Sequence, residues 1–437
     1  MTEAAWQADI AKFVIGLRAP PAGSEPKQNR LEFALATLWH TMQAPPPTVQ
    51  DAYEDLEEPH IQRPATARAA ELGKATWVDW EPDLTSDLKS IVLAVAIEIR
   101  ALDQALAEVR GTPQRSGDPN REYLAFGDEK VFIIPRPQGF VPTGCRCQTF
   151  DRRGLVRHRI LPILADGYVV RLYEPLLRGP GMAGEEAELV SAVFSRVKPD
   201  IVKDGGGGFW VQGLLNENEV EVSLEAQLDL VGGAGPAMAV VWPELSLTPR
   251  LRDRVSDFFS EQGLADNPAE IGFIVAGSWH EERGEHRYNV ARVLDADGES
   301  RFEVFKRKRF RLNGDLEAIT PGREIAVLIY GEVLIGFGIC KDFCERRLPS
   351  PYRHLDVDFI FAPSLSRAKT IHDHSVVAES LSFGFGTRSF VVQQNLEPKI
   401  AEPWGVTLRP NLAPRAGSAT SEQKKFVARS SVACTIP

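Results

Sequence analysis

The stretch GFGICKDFCE, residues 336–345, decides how the rest of the sequence is interpreted. An apolar run punctuated by Gly336 and Gly338 ends in Cys340, and charged residues follow at once. Such a run is typical of a buried strand, and α/β folds place reactive groups just beyond the carboxyl ends of their strands. Cys340 is therefore an inert buried thiol, half of a redox or metal pair, or a nucleophile; its spacing of four from Cys344 disfavours a redox pair. A nucleophile needs a base to take the thiol proton and a cation to stabilise the thiolate.

Two other segments end in groups of the required kind. The segment AMAVVWPE, residues 237–244, is a buried strand stopped by a proline, so that Glu244 lies just past the sheet edge. The segment RFEVFKRKRF, residues 301–310, carries Lys306 and Lys308 two positions apart and hence on one face of a strand. Taken alone, these segments are better explained as a surface-loop glutamate and a solvated basic edge strand.

Taken in order along the chain, the three segments resemble the nitrilase (carbon–nitrogen hydrolase) superfamily. The pattern of that family runs through Pro-Glu, Gly-Ser/Thr, Tyr-Asn, a lysine-bearing segment and Gly-x-x-Ile-Cys-x-Asp. The matching letters here are VVWPELSL, VAGSWHEERGEHRYNVARVLDADG, FKRKRF and IGFGICKDFCE, followed by VDFIFAPS and FVVQQN. The resemblance covers about residues 205–396, with the motifs in the same order as in the family.

The resemblance implies an α-β-β-α sandwich whose active site is a Glu-Lys-Cys triad. Carried over by position, Cys340 is the nucleophile and Glu244 is the general base. Lys308 matches the triad lysine, and Lys306 is the alternative because its side chain is expected to point the same way. Glu317, in GDLEAITPG, matches the supporting glutamate of the family.

The residues after the cysteine narrow the expected chemistry. The backbone N–H of Lys341 is expected to hold the oxyanion together with the lysine ammonium. Amidase-like branches of the family carry x-Asp at this point, as Lys341-Asp342 does here, whereas nitrile-cleaving relatives carry Trp-Glu. An amide substrate is therefore expected over a nitrile, and no cofactor or metal is implied. One departure is Cys344, which stands where the family usually has proline.

The implied reaction is hydrolysis of a non-peptide C–N bond in a small-molecule amide or nitrile, through a thioester on the cysteine. Two alternatives stay open. An acyltransferase of the same superfamily would pass the acyl group to an amine or hydroxyl instead of water. A ligand-sensing or regulatory nitrilase-like module would act within a larger assembly, for example in antiphage defence. The resemblance also implies a homo-oligomer.

Outside the hydrolase-like segments the sequence predicts an N-terminal extension. Three divisions are predicted, a helical region, a linking α/β segment and the nitrilase-like hydrolase domain, at 1–115, 116–200 and 201–437. The predicted fold class is α/β, a nitrilase-like α-β-β-α sandwich with an N-terminal mainly helical region. The role of that region is open, and binding of a protein partner is one alternative.

Apolar spacing predicts where the helices of the extension lie. Two amphipathic segments span residues 4–17 and 29–42, and a longer helix spans residues 84–109. Asp83 or Ser86 is the predicted N-cap of the longer helix. A Pro-rich break follows at residues 45–47, and residues 44–80 are predicted as loop with short helices.

Composition bounds the partners and the compartment. The 437 residues carry a formal net charge of −10, which argues against nucleic acid or an anionic membrane as an obligatory partner. The apolar run at residues 91–97 is far too short to span a bilayer, and the first residues lack the pattern of a secretory signal. Five cysteines do not make a disulfide framework in so long a chain, which favours a reducing cytoplasm.

Two candidate metal sites have weaker support in the sequence than the Glu-Lys-Cys site. Cys145 and Cys147 form a Cys-x-Cys pair, and zinc would require His158 and one more ligand. His372 and His374 flank an aspartate, and this spacing predicts a solvated turn, with the lining of a pocket as the alternative.

Overall fold

The computed structural model describes most of the chain and divides it into two compact units. The described residues are 1–18, 27–43, 45–75, 80–110, 123–124, 130–136, 154–175, 177, 188–233, 236–263, 270–331, 333–344, 351–396, 398, 402–410, 421–426 and 432–433. Unit 1 comprises Met1–Ile163 with His354–Asp356, and unit 2 comprises Leu164–Arg353 with Val357–Pro437. Within the described ranges, no helix is both long and apolar enough to span a membrane.

Unit 1 is mainly helical, as predicted. Its elements are α1 (Glu3–Arg18), α2 (Lys27–Thr41), α3 (Pro47–Glu54), α4 (Glu58–Lys74), α5 (Leu88–Arg110), β1 (Tyr123–Leu124), β2 (Lys130–Pro135) and β3 (His158–Pro162). The strands form an antiparallel sheet in the order β1-β2-β3. Helix α5 packs against α2, α3 and α4, and its apolar side lies in the core of the unit.

The sequence misplaced two features of unit 1. Residues 44–80, predicted as loop with short helices, contain the 17-residue helix α4. Helix α5 begins after Asp87, not after Asp83 or Ser86, and the Asp87 carboxylate accepts hydrogen bonds from the backbone N–H and the hydroxyl of Ser90. Apolar spacing therefore identified the helix correctly and its first turn incorrectly.

Buried polar groups hold α5 in place within unit 1. Arg100, which is 1% exposed, donates to the Glu58 carboxylate at 2.6 Å and also to the Gly154 carbonyl. One turn later, the Asp103 carboxylate lies 2.9 Å from His158 Nδ1 and also accepts two backbone N–H groups. These buried charges are paired, as a stable interior requires.

Unit 2 contains the strands and helices of a layered α/β structure. Its strands are β4 (Leu164–Ala165), β5 (Tyr168–Tyr173), β6 (Glu188–Ala192), β7 (Pro199–Lys203), β8 (Gly208–Leu214), β9 (Ala237–Val241), β10 (Ile271–Arg283), β11 (His286–Leu294), β12 (Ser300–Phe305), β13 (Arg311–Leu312), β14 (Asp315–Glu317), β15 (Glu324–Tyr330), β16 (Val333–Phe337), β17 (Phe359–Ser366), β18 (Arg388–Asn395), β19 (Gly405–Pro410), β20 (Ser421–Phe426) and β21 (Val432–Ala433). Its helices are α6 (Glu217–Gly232), α7 (Pro249–Gly263), α8 (Lys341–Cys344) and α9 (Thr370–Phe385).

Two mixed sheets of unit 2 pack face to face. One has the strand order β12-β11-β10-β9-β6-β21, and the other has the order β20-β19-β18-β17-β16-β15-β5-β4. Their facing side chains form one hydrophobic core, in which Phe273 of the first sheet contacts Phe337 and Phe361 of the second at ring-centroid distances of 6.1 and 5.3 Å. Strands β5 and β6, from the segment predicted as a link, are each hydrogen-bonded into one of these sheets.

Helices cover the outer faces of the two sheets. Helices α6 and α7 share a second hydrophobic core with the outward side chains of β9 and β10. Helix α9 packs against β18 and β19 and buries Ile371, Val377 and Leu381. The predicted α/β class with α-β-β-α layers is therefore confirmed.

A smaller sheet brings β14 beside the sandwich. Its order is β13-β14-β8-β7, and β14 pairs in parallel with β8, with Glu317 opposite Phe209. The residues before β8 form a turn in which the Asp204 carboxylate accepts the backbone N–H groups of Gly206 and Gly208. Glu317, at the end of β14, is thereby placed next to the sandwich.

Candidate active site

Cys340 lies at a sharp turn between strand β16 and helix α8. Its φ of +47° is in the left-handed region, which residues other than glycine adopt rarely and which is enriched at functional sites. The Cys340 backbone N–H donates to the Pro363 carbonyl at 2.9 Å, and Sγ lies 3.8 Å from the Leu365 carbonyl oxygen. Since the residue is only 1% exposed, the thiol is held against β17 in the interior.

Contacts around this turn explain why the sequence needs glycine and aspartate there. A Cβ on Gly338 would overlap the Tyr352 hydroxyl, which donates to the Phe337 carbonyl at 2.7 Å. The Asp342 carboxylate accepts the backbone N–H of Ile339 at 3.2 Å. The turn that presents Cys340 is therefore built by its neighbours in sequence together with one tyrosine.

Glu244 lies just past strand β9, where the sequence places it. The register of β10 against β11 shifts between Val275 and Ser278, and Gly277 within this irregularity has a φ of +59°. A Cβ at Gly277 would lie 2.6 Å from the Pro243 carbonyl oxygen, so glycine is required for the close approach of the two chains. Glu244 pairs with Ser278 in an isolated parallel bridge, and its side chain is buried.

Lys306 is the lysine that meets Glu244. Its Nζ lies 2.7 Å from Glu244 Oε1 and 2.7 Å from Glu317 Oε2, and all three side chains are at most 2% exposed. One ammonium thus bridges two carboxylates in the interior, and a buried charge is tolerated only when it has such partners.

This placement favours Lys306 over Lys308, which reverses the order expected from the sequence. Strand β12 ends at Phe305, so the alternation that put both lysines on one face does not continue. The backbone N–H groups of Arg307 and Lys308 donate to the Asp342 carboxylate instead, at 3.0 and 2.8 Å, and the chain turns there. Among the ion pairs of the described residues, those that reach the two glutamates from this segment come from Lys306.

Glu317, the match to the supporting glutamate, joins the same cluster. Its Oε2 accepts the backbone N–H of Phe310 at 2.9 Å, and its Oε1 lies 2.9 Å from His280 Nε2. The other ring nitrogen of His280 accepts the backbone N–H of Val211 at 2.8 Å, so the ring proton is on Nε2 and is donated to Glu317. His280 therefore fixes the orientation of this carboxylate.

Asn289 links the two glutamates directly. Its Nδ2 donates to Glu244 Oε1 at 2.9 Å and to Glu317 Oε1 at 3.1 Å, and the residue is fully buried. Glu244 Oε2 also accepts the backbone N–H of Leu365 at 2.9 Å. In every hydrogen bond found to these two carboxylates among the described residues, a nitrogen donates and the carboxylate oxygen accepts. Ionised carboxylates, which can only accept, show this pattern.

The pKa shifts in the cluster favour the charged forms of Lys306 and Glu317 and the neutral form of the Cys340 thiol. Burial alone would lower the pKa of Lys306, but Glu244, Glu317 and Cys340 outweigh it and raise that pKa well above the usual value. Burial would raise the pKa of Glu317, but Lys306 and the His280 hydrogen bond hold it well below the usual range. Burial and the Glu244 carboxylate raise the pKa of the Cys340 thiol well above its usual value, against the Lys306 ammonium.

The remaining candidate from the sequence, Lys341, begins helix α8. Its side chain is turned toward the surface, where Nζ donates to the Arg309 carbonyl at 3.2 Å. The expected role of its backbone N–H stays a prediction. Sequence reasoning gave His280 and Asn289 no role. Asn289 lies in the Tyr-Asn motif and was identifiable by position, whereas no motif signals His280.

The metal candidates have different outcomes. Cys145 and Cys147 lie outside the described residues, and His158 is the buried partner of Asp103 in unit 1. His372 and His374 lie in helix α9, so the predicted solvated turn is wrong, and His374 is fully buried. Within the described part of the chain, no group of three or more His, Cys, Asp or Glu side chains could hold a metal ion.

A cleft of about 570 Å³ opens beside β14. Its lining includes Asp204, Glu282, Arg287, Arg309 and Glu317. Glu317 therefore belongs both to the buried cluster and to the wall of a cleft on the surface of unit 2.

Comparisons with known proteins find similarity among solved structures. No protein-family model matches the sequence, and no curated protein matches it. Similar structures include a CN-hydrolase superfamily protein from Xanthomonas campestris, with 13% identity and a TM-score of 0.39, covering 58% of this chain and 90% of that one. A nitrilase-superfamily protein from Saccharomyces cerevisiae has 16% identity and a TM-score of 0.38, covering 58% and 90%. An amidase from Nesterenkonia sp. has 15% identity and a TM-score of 0.37, covering 55% and 87%.

The first structure is named as a CN-hydrolase superfamily protein and the second as a member of the nitrilase superfamily. The matches cover little more than half of the chain.

Proposed function

We propose that unit 2 is a thiol hydrolase that cleaves the C–N bond of a small-molecule amide through a thioester on Cys340. The observation that supports this most strongly is the buried cluster, in which Lys306 bridges Glu244 and Glu317 at 2.7 Å each. Glu244 and Lys306 are also close enough to Cys340 to change the pKa of its thiol. Nucleophilic catalysis requires such a grouping of a base, a cation and a sulfur.

The first half of the reaction forms the acyl-enzyme. The Cys340 thiol is protonated at rest, because burial raises its pKa. As Sγ attacks the amide carbon, the Glu244 carboxylate takes the thiol proton, so that no free thiolate has to accumulate. The amide oxygen becomes an oxyanion, which the Lys306 ammonium stabilises in a buried site.

The second half releases the products. The C–N bond breaks and the leaving nitrogen takes the proton from Glu244, which returns that group to its carboxylate form. The thioester on Cys340 is then attacked by water, whose proton Glu244 accepts. Collapse of this second intermediate breaks the C–S bond, releases the carboxylic acid and lets Glu244 return the proton to sulfur. Lys306 keeps its proton throughout, as its raised pKa requires.

The supporting groups keep this geometry in place. His280 and Asn289 both donate to Glu317, and Asn289 also donates to Glu244. A purely structural cluster explains these residues less well, because in many proteins buried ion pairs are replaced by apolar residues with little or no loss of stability. An amide is preferred over a nitrile because Lys341-Asp342 follows the cysteine, as in the amidase-like branches of the superfamily.

Trapping of the acyl-enzyme tests the proposal. The protein is mixed with a panel of small primary and secondary amides, quenched in acid, digested and analysed by mass spectrometry. The expected result is an acyl group on the Cys340 peptide, with release of ammonia or amine, and neither signal in Cys340→Ala. An adduct that turns over only when an amine is added would identify an acyltransferase. An acyl group on another residue, or product release by Cys340→Ala, would contradict the proposal.

A further inference from the structure

Two buried polar side chains line up behind Cys340 and have no part in the reaction described so far. Ser364 in β17 and His374 in α9 are both fully buried, and Ser364 Oγ lies 3.3 Å from His374 Nε2. Cys340 lies beside Ser364, because its backbone N–H donates to the carbonyl of Pro363 and its Sγ lies 3.8 Å from the carbonyl of Leu365, the residues on either side of Ser364. The Ser364 hydroxyl acts to lower the pKa of the Cys340 thiol, against the larger effect of burial. The three groups therefore form a row that runs from helix α9 to the reactive sulfur.

The direction of the hydrogen bonds follows from the surroundings of His374. Its ring is stacked on Phe343, with centroids 5.8 Å apart and planes 13° apart, and its Nδ1 is buried with no hydrogen-bond partner among the described residues. A buried N–H without a partner is rarer than a buried acceptor without one. The ring proton of the neutral imidazole is therefore on Nε2, where it is donated to Ser364 Oγ. This leaves the Ser364 O–H free to point at Cys340.

We propose that the Ser364 hydroxyl donates a hydrogen bond to the Cys340 thiolate, and that His374 is a positioning residue that aims this hydroxyl through its Nε2–H. The inference rests on the proposed function, since it concerns the nucleophile of that reaction. No proton moves along the row. Burial lowers the pKa of His374 to about 3, so the imidazole stays neutral and acts only as a donor.

The hydroxyl of Ser364 is one of several groups around Cys340 that affect the stability of its thiolate. Burial and the Glu244 carboxylate disfavour the thiolate, as does Cys344, whereas the Lys306 ammonium favours it. The resting thiol lies with Sγ 3.8 Å from the Leu365 carbonyl, which accepts its hydrogen. Ser364 is thus the neutral donor that helps Lys306 to stabilise the sulfur once its proton has left.

The rate of alkylation of Cys340 by iodoacetamide measures this effect without any turnover. The reagent reacts with the thiolate, so below the thiol pKa the rate follows the fraction of thiolate. In Ser364→Ala and in His374→Phe, the rate at Cys340 is expected to fall by about three- to tenfold. A lost hydrogen bond to a charged group raises the thiol pKa by about one unit or more, and the higher intrinsic nucleophilicity offsets part of that change. Peptide mass spectrometry resolves Cys340 from the other cysteines.

Conservative and matched variants separate this role from a merely structural one. His374→Gln keeps an N–H donor and is expected to retain the wild-type rate. Ser389→Ala removes a different buried serine, whose hydroxyl has no hydrogen-bond partner among the described residues, and is expected to leave the rate unchanged. A wild-type rate in Ser364→Ala or in His374→Phe overturns the proposal. So does an equal loss in His374→Phe and His374→Gln.

Failure of this inference is distinguishable from failure of the proposed function. A protein that forms no acyl-enzyme with any amide can still show the slower alkylation of Ser364→Ala, because alkylation needs only the thiolate. Conversely, a protein that hydrolyses amides, with an unchanged alkylation rate in Ser364→Ala, keeps the proposed function and loses the role of Ser364.

Discussion

Lys306 supplies the positive charge that two buried carboxylates share, each at 2.7 Å. The sequence could not distinguish it from Lys308, because two residues of the same type stand two positions apart at the end of a predicted strand. The distinction depends on where β12 ends and the chain turns. That turn is held by the carboxylate of Asp342, 34 positions beyond Lys308, and no local pattern records such a contact.

The two lysines make a matched pair for a test. Lys306→Met leaves Glu244 and Glu317 buried without their cation, and we expect a loss of about 3–5 kcal/mol in the free energy of unfolding. Acylation of Cys340 should also disappear. Lys308→Met should change neither property strongly, because the bond from residue 308 to Asp342 comes from the backbone. Urea unfolding and acyl-enzyme mass spectrometry measure both. Equal effects of the two substitutions would contradict the assignment of Lys306 as the lysine of the triad in place of Lys308.

His374 predicts a dependence of stability on pH. Its folded pKa of about 3 lies below the ordinary value of 6.5. Between these values the unfolded chain binds the proton and the folded chain does not. The contribution of His374 to stability is therefore complete above pH 6.5 and is lost as the pH falls toward 3. The stability of the wild type relative to His374→Phe should fall by about 1.4 kcal/mol per pH unit below 6.5.

Urea unfolding of both proteins at several pH values between 7 and 5 measures this difference. Other titrating groups affect both proteins alike and cancel. A difference that stays constant with pH would show that His374 titrates normally.

Among the secondary-structure elements, strand ends are what the sequence describes well. Cys340 and Glu244 each follow a buried apolar run, which places them at the edge of a sheet, and the resemblance of their motifs to the nitrilase superfamily assigned their roles. Glu317 was assigned by its place in the motif. His280 could not be assigned, because its hydrogen-bond partners, Val211 and Glu317, lie in other strands far along the chain. The spacing of apolar residues indicates whether a segment is a helix or a strand, but it does not indicate which other elements it contacts in the fold.

The turn that presents Cys340 predicts a specific double-mutant result. Gly338→Ala puts a methyl group against the Tyr352 hydroxyl, so we expect a loss of about 1–3 kcal/mol in stability and slower acylation. Tyr352→Phe removes that hydroxyl together with its hydrogen bond to the Phe337 carbonyl. The double variant should therefore be more stable than the sum of the two single effects predicts.

Gly384→Ala is the matched control, because no described atom lies within 4 Å of a Cβ there. It is expected to be close to neutral or stabilising in helix α9. Thermal and urea unfolding of the single and double variants provide the comparison. Strict additivity of Gly338→Ala and Tyr352→Phe would contradict the contact.

Over the whole chain, the described residues form two units, each with its own hydrophobic core. The sequence predicted an N-terminal helical region before a hydrolase-like part, because the apolar spacing changes from helical to strand-like along the chain. It could not assign β5 and β6 to the large sheets, because their pairing with β15 and β9 depends on residues far downstream. A homo-oligomer and a protein partner for the N-terminal region stay predictions.

Separate cores predict separate local stabilities. Leu102 in α5 and Leu228 in α6 are both fully buried, and they lie in different units. Each leucine-to-alanine change should cost about 2–5 kcal/mol within its own core. Hydrogen exchange followed by mass spectrometry should show faster exchange in peptides of unit 1 for Leu102→Ala and in peptides of unit 2 for Leu228→Ala. Equal acceleration in both units by either substitution would speak against separate cores.

Central to the proposed function is a buried thiol that reacts because a base and a cation adjoin it. The most direct test compares the rates at which iodoacetamide, itself a small primary amide, modifies Cys340 and Cys344 in the folded protein at neutral pH. We expect faster modification of Cys340, although it is only 1% exposed and burial raises its thiol pKa, because Glu244 takes the thiol proton as the sulfur attacks the reagent. Lys306→Gln should abolish this preference and Lys308→Gln should keep it. Modification of Cys344 first, with Cys340 reacting only in denaturant, would contradict the proposed function.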